Sequence, residues 1–263
     1  MSSVRKPLLK PGSGRRVAVI AHRGNSSEAP ENTLAAFRKA VVAGADGVEL
    51  DARASADGTL HCLHDDTLDR TTNALRLFGQ SRVHMADVDD ARIALLDAGA
   101  WCGRDFARER VPTLAEALAV ICPGALPVIE RKDGDAERYV GVLREQGLVG
   151  RAVVMAFEWG FLSRLHGIEP DQPLAVLGEG EWDAQQEASL PATGACVVAW
   201  RQTDVTAERV SRWHELGLGV WCWTADTPVE WARLVAAGAD GIITNRPAGL
   251  IQWIRERDLS GCD

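Results

Sequence analysis

The chain lacks any apolar run near the ~20 residues that a membrane-spanning helix needs, so no membrane span is expected. It has no basic surplus. Its 29 Lys and Arg stand against 37 Asp and Glu, a net charge of -8, and without a basic face nucleic-acid binding is not expected. None of its six cysteines forms a Cys-x-x-Cys pair. Cys62, Cys102, Cys122, Cys196, Cys222 and Cys262 are scattered, several of them inside apolar runs. That spacing offers neither a zinc cage nor a disulfide framework, and it reads as reduced thiols in a cytoplasmic protein. Residues 1–16 are basic and contain Pro and Gly but no apolar secretory segment. They are expected to form a frayed lead-in. There is one tyrosine against nine tryptophans, and most of the indoles are expected to serve as core and interhelix packing.

What the chain does have is a repeated grammar of helix, glycine and strand. Ala43-Gly44-Ala45-Asp46-Gly47-Val48 is echoed by Ala237-Gly238-Ala239-Asp240-Gly241-Ile242. In both copies the first glycine suits the left-handed position that ends a helix. Apolar runs bounded in this way predict strands near 17–21, 46–51, 126–131, 151–157, 173–177, 195–200, 218–223 and 239–243. Eight strands alternating with helices indicate an α/β fold of parallel βα units, and that count matches a (β/α)8 TIM barrel. An open doubly wound sheet would carry a Gly-rich phosphate loop after its first strand, and Gly24-Asn25-Ser26-Ser27 is not one. With 263 residues, 46% of them hydrophobic, the whole chain (1–263) is expected to form a single barrel domain. The stretch between Asp51 and Leu126 far exceeds one crossover helix. Residues 52–110 are expected to be an insertion on the catalytic face, with a hairpin at Ala56-Asp57-Gly58-Thr59 and the next helix starting near Pro112-Thr113.

The polar residues gather where apolar runs end. His22 follows Val17-Ala18-Val19-Ile20-Ala21, Glu49 follows Gly47-Val48, and His64 follows Cys62-Leu63. A charge at the end of a buried strand is costly unless a metal, a partner or a substrate uses it. Glu49 and Asp51 are two residues apart on one strand, so both point to the same face, and Glu130 and Lys132 repeat that spacing on the next. Three carboxylates with no Cys or His ligand cluster suit one hard divalent cation, Mg²⁺ or Ca²⁺. His22 and His64 can take up and deliver protons near neutral pH. Arg23 and Lys132 suit a phosphate, the first through a bidentate fork and the second as a point charge. His61, His84, His166 and His214 carry no such context and read as structural, and the run from Arg104 to Arg110 reads as a solvated face.

An ordered set of motifs then runs through almost the whole chain. It comprises A-H-R-G (21–24), P-E-N-T-L-A-A-F (30–37), G-A-D-G-V-E-L-D (44–51), D-G-T-L-H-C-L-H-D (57–65), R-T-T-N (70–73), L-D-A-G (96–99), V-P-T-L-A-E-A-L (111–118), I-E-R-K (129–132), W-T-A-D (223–226) and G-A-D-G-I-I-T-N-R-P (238–247). The chain resembles the glycerophosphodiester phosphodiesterase family, its soluble bacterial branch in particular. The resemblance implies hydrolysis of glycerophosphodiesters, small-molecule substrates, to sn-glycerol 3-phosphate and an alcohol. It implies His22 and His64 as the general acid/base pair and Glu49, Asp51 and Glu130 as metal ligands. Arg23 and Lys132 would bind phosphate, and Phe157 and Trp223 would shape the pocket.

Two positions depart from the family pattern. Met155-Ala156-Phe157 lacks a hydroxyl that relatives often carry there, and Thr244-Asn245 ends the last strand where an aspartate is usual. Both are expected to lie away from the core chemistry and to bear on headgroup preference. Asn32 or Thr33 is expected to cap the first helix rather than bind anything. Two other readings stand beside the main one. A barrel phosphodiesterase acting on lysophospholipid or sphingomyelin would need an exposed apolar surface to meet lipid. A non-catalytic phosphodiester-binding barrel would be expected to have lost one of the five acidic or histidine residues, and none is lost.

Overall fold

The computed structural model describes residues 16–260 together with residues 9, 11 and 12. Most of the expected lead-in, and Cys262, lie outside the described residues. The other five cysteines are free thiols.

Eight parallel strands close into a barrel among the described residues: β1 (Ala18–Ala21), β2 (Gly47–Ala54), β4 (Leu126–Arg131), β5 (Val153–Ala156), β6 (Leu174–Gly178), β7 (Val197–Arg201), β8 (Gly219–Trp223) and β9 (Gly241–Thr244). Closure is made by β1, which pairs Ile20 with Ile243 of β9 on one side and with Gly47 of β2 on the other. The (β/α)8 expectation is borne out, and each predicted strand corresponds to one barrel strand. A ninth strand, β3 (Leu60–Cys62), runs antiparallel to the end of β2, with Arg53 opposite His61. It is the far arm of the expected hairpin, and it carries β2 three residues beyond its predicted end.

Helices cover the outside: α1 (Leu34–Ala43), α4 (Leu114–Ile121), α5 (Ala136–Glu145), α6 (Trp159–Ile168), α7 (Ala184–Thr193), α8 (Ala207–Glu215), α9 (Pro228–Ala236) and α10 (Pro247–Ser260). Their ends follow local chemistry. Thr33 caps α1 by accepting from the Ala36 N–H, and Gly44 closes it in the left-handed region. Thr113 and Glu116 form a reciprocal capping box at α4, where the sequence predicted a helix start.

The strand pleat divides the core in two. Val48, Leu50 and Ala52 face the helices within the larger cluster. Ile20, Val128, Met155, Leu177, Ala199, Trp221 and Ile243 fill the barrel interior. Trp200 and Trp213 are fully buried and pack with Trp182, ring centroids 5.5–5.6 Å apart, as expected for packing indoles.

The segment after β2 is more ordered than a long loop. Besides β3 it holds two short helices, α2 (Ala74–Phe78) and α3 (Asp90–Ile93). A small core of its own includes Leu63, Leu68, Met85, Ile93 and Leu96. Arg104, Asp105, Arg108 and Arg110 are exposed, as the charge run suggested.

The turn that follows β1 is held by close backbone contact. Gly24 has φ 82°, and a Cβ there would lie 2.7 Å from the Ala36 carbonyl carbon. Its N–H donates to the Glu49 carbonyl at 3.2 Å. A side chain meets both a left-handed backbone and a clash that α1 cannot relieve. Gly24→Ala is therefore expected to cost about 2–4 kcal/mol, measurable by urea denaturation. A loss below about 0.5 kcal/mol would show that the turn is not constrained.

Candidate active site

The interior positions change character at the C-terminal ends of the strands. Two residues after Ile20 comes His22, and two after Val128 comes Glu130. Phe157 follows Met155, Trp223 follows Trp221, and Asn245 follows Ile243 at the same spacing. The pleat therefore carries the same inward face from packed core to barrel mouth. Register places Asp51 beside Glu130 on neighbouring strands. The mouth holds a cavity of about 230 Å³ lined on one side by His22, Arg23, Glu49, His64, Glu130 and Lys132, and on the other by Met155, Phe157, Leu177, Trp223, Thr224 and Ile243.

Glu49, Asp51 and Glu130 are buried and offer carboxylate oxygens within 4.8 Å of one another. Glu49 Oε1 and Asp51 Oδ1 are buried without a hydrogen bond. Among the described residues Glu49 Oε1 has no partner and Asp51 Oδ1 only the Lys132 ammonium, and carboxylate oxygens gathered in this way, with no sulfur or nitrogen ligand in the cluster, fit a hard divalent cation. Burial, then repulsion from Asp51 and Glu130, pushes the Glu49 carboxyl well above its usual range. Burial and then Asp51 push Glu130 up to about 7. Burial acts the same way on Asp51, but the Lys132 ammonium and the Arg23 guanidinium hold it down to about 2. Lys132 Nζ lies 3.2 Å from Asp51 Oδ1 and contacts Glu130. Arg23 Nε lies 3.2 Å from Asp51, and its Nη1 bonds Glu31 at 2.8 Å.

The two histidines have different partners. His64 Nδ1 lies 2.7 Å from Asp65 Oδ1, and Asp65 and Glu31 both bind Arg70 through paired contacts of 2.6–3.0 Å. His22 Nδ1 lies 2.7 Å from the side-chain oxygen of Asn245. Burial, and then Arg23, push the His22 imidazolium down to about 4. Burial lowers His64 as well, opposed by Asp51 and Asp65.

All nine residues singled out in the sequence meet at this mouth. His61 instead binds Asp90 at 3.0 Å inside the insertion. Two expectations need correction. Thr33 alone caps α1, whereas Asn32 sits at φ 57° and exchanges two bonds with Asp51, donating from Nδ2 at 2.7 Å and accepting from its N–H at 3.1 Å. Asn245 is no bystander, because it touches His22 directly. Glu31, Asp65, Arg70 and Asp226 lie within the sequence motifs, which assign them no role of their own. Asp65, beside His64 in the chain, carried the one local signal.

The chain matches the Glycerophosphoryl diester phosphodiesterase family over residues 22–249. A curated glycerophosphodiester phosphodiesterase of Caldanaerobacter subterraneus is 33% identical over 92% of this chain and 99% of that protein. Among solved structures, an Oleispira antarctica phosphodiesterase in complex with the product sn-glycerol-3-phosphate is 27% identical. It superposes with a TM-score of 0.81 over 90% of this chain and 96% of its own. A glycerophosphodiester phosphodiesterase of Agrobacterium tumefaciens is 28% identical, with a TM-score of 0.76 over 88% and 97%.

The carboxylate cluster makes a stability prediction. A group whose folded pKa exceeds its unfolded one stabilises fully below the unfolded value, and that contribution is lost as pH rises through the folded value. For Glu130 the window runs from the ordinary carboxylate range up to about 7. The metal-free protein therefore carries growing repulsion across that window, which a divalent cation relieves. The rise in Tm on adding a divalent cation is expected to be small near pH 5 and to grow towards pH 8. Thermal scans with and without chelator check this. A cation response absent at every pH would remove the cluster as a cation site.

Proposed function

The chain belongs to the glycerophosphoryl diester phosphodiesterase family, and we propose that it hydrolyses glycerophosphodiesters to sn-glycerol 3-phosphate and a free alcohol at the barrel mouth. One observation carries the reading. Two histidines share a cavity with the carboxylates and with the basic side chains of Arg23 and Lys132. The product held by the Oleispira antarctica relative supports it.

In this reading one histidine takes the proton from the attacking hydroxyl, of water or of the glycerol 2-position, as its oxygen bonds to phosphorus, and in the second case water then opens the cyclic phosphate. The other returns a proton to the alkoxide as the P–O bond breaks. Arg23 and Lys132 hold the non-bridging oxygens and stabilise the charge that develops there. Glu49, Asp51 and Glu130 would hold one divalent cation, Mg²⁺ or Ca²⁺. When bound, that cation supplies further neutralisation of phosphoryl charge. The whole chain acts as one barrel domain, with the insertion contributing His64 to the site. Five free thiols accord with a cytoplasmic setting, and no helix among the described residues is long and apolar enough to cross a membrane.

Phe157 and Trp223 form the far wall, their rings edge to face with centroids 5.7 Å apart. The Trp223 indole N–H is committed to the Ala199 carbonyl at 3.1 Å, so the ring offers carbon to the substrate. With Met155, Leu177 and Ile243 beside it, this wall suits glycerol carbons and gives a headgroup little to hydrogen-bond. A second reading, with lysophospholipid as substrate, draws on the exposed Leu75, Leu77, Leu95 and Trp101 of the insertion.

His22→Ala and His64→Ala are each expected to lower kcat by roughly 10²–10⁴ while cation binding, read by calorimetry, persists. Glu49→Gln should leave a folded protein without cation-dependent turnover. Full activity of any of these three variants, or of the wild type in chelator, overturns the corresponding role.

A substrate series reads the apolar wall. Glycerophosphocholine and glycerophosphoethanolamine should differ by about tenfold or less in kcat/KM, roughly 1.4 kcal/mol. A dialkyl phosphodiester lacking glycerol should be far slower. Equal turnover of the glycerol-free diester would mean that only phosphate is read, and a preference for lysophosphatidylcholine would favour the second reading.

A further inference from the structure

We propose that Asp226, acting through Asn245, locks His22 in the tautomer that carries its proton on Nδ1, so that Asp226 and Asn245 are positioning residues for the reaction. The proposal rests on the reading of His22 as an acid/base residue. Asp226 Oδ1 accepts from the Asn245 N–H at 2.8 Å and from the Thr244 hydroxyl at 2.9 Å. Thr244 Oγ1 in turn accepts from the Arg246 N–H at 3.1 Å, so its proton is directed at Asp226. The other oxygen, Asp226 Oδ2, lies 2.6 Å from the Asn245 side-chain nitrogen. An ionised carboxylate only accepts, so the Asn245 amide must turn its NH₂ to Asp226 and its oxygen to His22. That oxygen also accepts from Ser26 Oγ at 2.9 Å. It has no proton to give, so the 2.7 Å contact with His22 requires Nδ1 to be the donor.

Neutral His22 then keeps its lone pair on Nε2, the ring nitrogen not engaged by Asn245, in a side chain that lines the cavity. It can take a proton there without turning, and the imidazolium formed keeps its Nδ1–H on Asn245. In the other tautomer Nε2 bears the proton and the lone pair is spent against Asn245. Such a ring cannot accept a proton from a hydroxyl in the cavity.

The lock has a sharp test because one substitution inverts it. In Asp226→Asn the Oδ1 position still receives two donors, so the new amide must keep its carbonyl there and place its NH₂ where Oδ2 was. Asn245 must then flip to present its oxygen, and its NH₂ faces His22. Ser26 accommodates this by accepting from Asn245 while donating to the His22 carbonyl, 2.9 Å away. His22 is driven to carry its proton on Nε2.

The experiment is nitrogen NMR of ¹⁵N-histidine-labelled full-length protein at neutral pH, with the His22 signals assigned by their loss in His22→Ala. The wild type should show Nδ1 protonated and Nε2 bare, and Asp226→Asn the reverse. Its kcat on glycerophosphocholine should fall by about 10² or more, with KM within about threefold. Asn245→Leu, which leaves Nδ1 without a partner, gives a second route if Asp226→Asn does not fold. It should lose the Nδ1–H preference and show the same split between kcat and KM. A wild-type His22 protonated on Nε2 overturns the proposal, as do variants that keep both the wild-type tautomer and kcat. Full activity of His22→Ala would remove the acid/base reading instead, since the tautomer is read from the spectrum alone.

Discussion

The structure is organised around three carboxylates buried in one place. Glu49 and Asp51 are fully buried and Glu130 nearly so, and an ionised carboxylate taken out of water must find charge or hydrogen bonds. The loop after β1 is shaped to supply them. The Arg23 N–H donates to Glu49 at 2.8 Å, and the Asn32 side chain grips Asp51. To do so the loop holds Arg23, Gly24 and Asn32 at positive φ. For the two non-glycine residues that conformation costs about 1–2 kcal/mol each, offset by charge-assisted bonds of the stronger class. The tight fit of Gly24 against α1 belongs to the same arrangement, because it fixes the direction from which those donors arrive.

The insertion is bound into this scheme by its charges. Arg70 joins Asp65, the partner of His64, to Glu31, which also holds Arg23. A residue of the first loop and a histidine of the insertion are thereby fixed relative to each other, and the small core under the insertion gives Arg70 a rigid support. The histidines end in unlike environments. A carboxylate behind His64 favours its protonated form, whereas the amide behind His22 cannot balance a charge, and Arg23 nearby opposes one. That difference is built from chain topology. Asp65 is the neighbour of His64 in sequence, while Asn245 reaches His22 only because the barrel closes between β1 and β9.

The division between what was legible in the sequence and what was not follows from this. The strand pattern, the Gly44 and Gly238 helix ends, the Thr113 cap and the inward face shared by Glu49 and Asp51 are local properties, and each was readable from spacing. Glu130 and Lys132 could be assigned to the same site because parallel neighbours bring their strand ends together. The roles of Asn32 and Asn245 were not readable, because each depends on a partner on a different element: Asp51 across the first loop, His22 across the closure. Asn32 resembled a helix cap because Asn is a common cap. Its left-handed backbone, which Asn tolerates better than most residues, is visible only in the fold. The helices and core of the insertion were missed because their apolar residues are few per segment and join a cluster only when several short pieces meet.

The barrel mouth also divides by polarity, and the division follows strand order. β1, β2 and β4 and the residues that follow them bring His22, Arg23, Glu49, Glu130 and Lys132 to the cavity, while β5, β6, β8 and β9 bring Met155, Leu177, Trp223 and Ile243. A phosphodiester has the matching polarity, with its charge at phosphorus and its carbon on either side. The charged half is cross-linked, since Arg23 binds Asp51 and Glu31, Lys132 binds Asp51 and Glu130, and Asp51 also binds Asn32, so a change there disturbs the balance of the carboxylate cluster. The apolar half is under no such constraint. Phe157 is half exposed, and its wall discriminates by contact area, which resolves a single methylene by only about 1–3 kcal/mol. Changes of substrate range can therefore arise in the loops after β5, β6 and β8 with the reaction machinery intact, whereas loss of one charged partner on β1, β2 or β4 leaves another buried without its counterion.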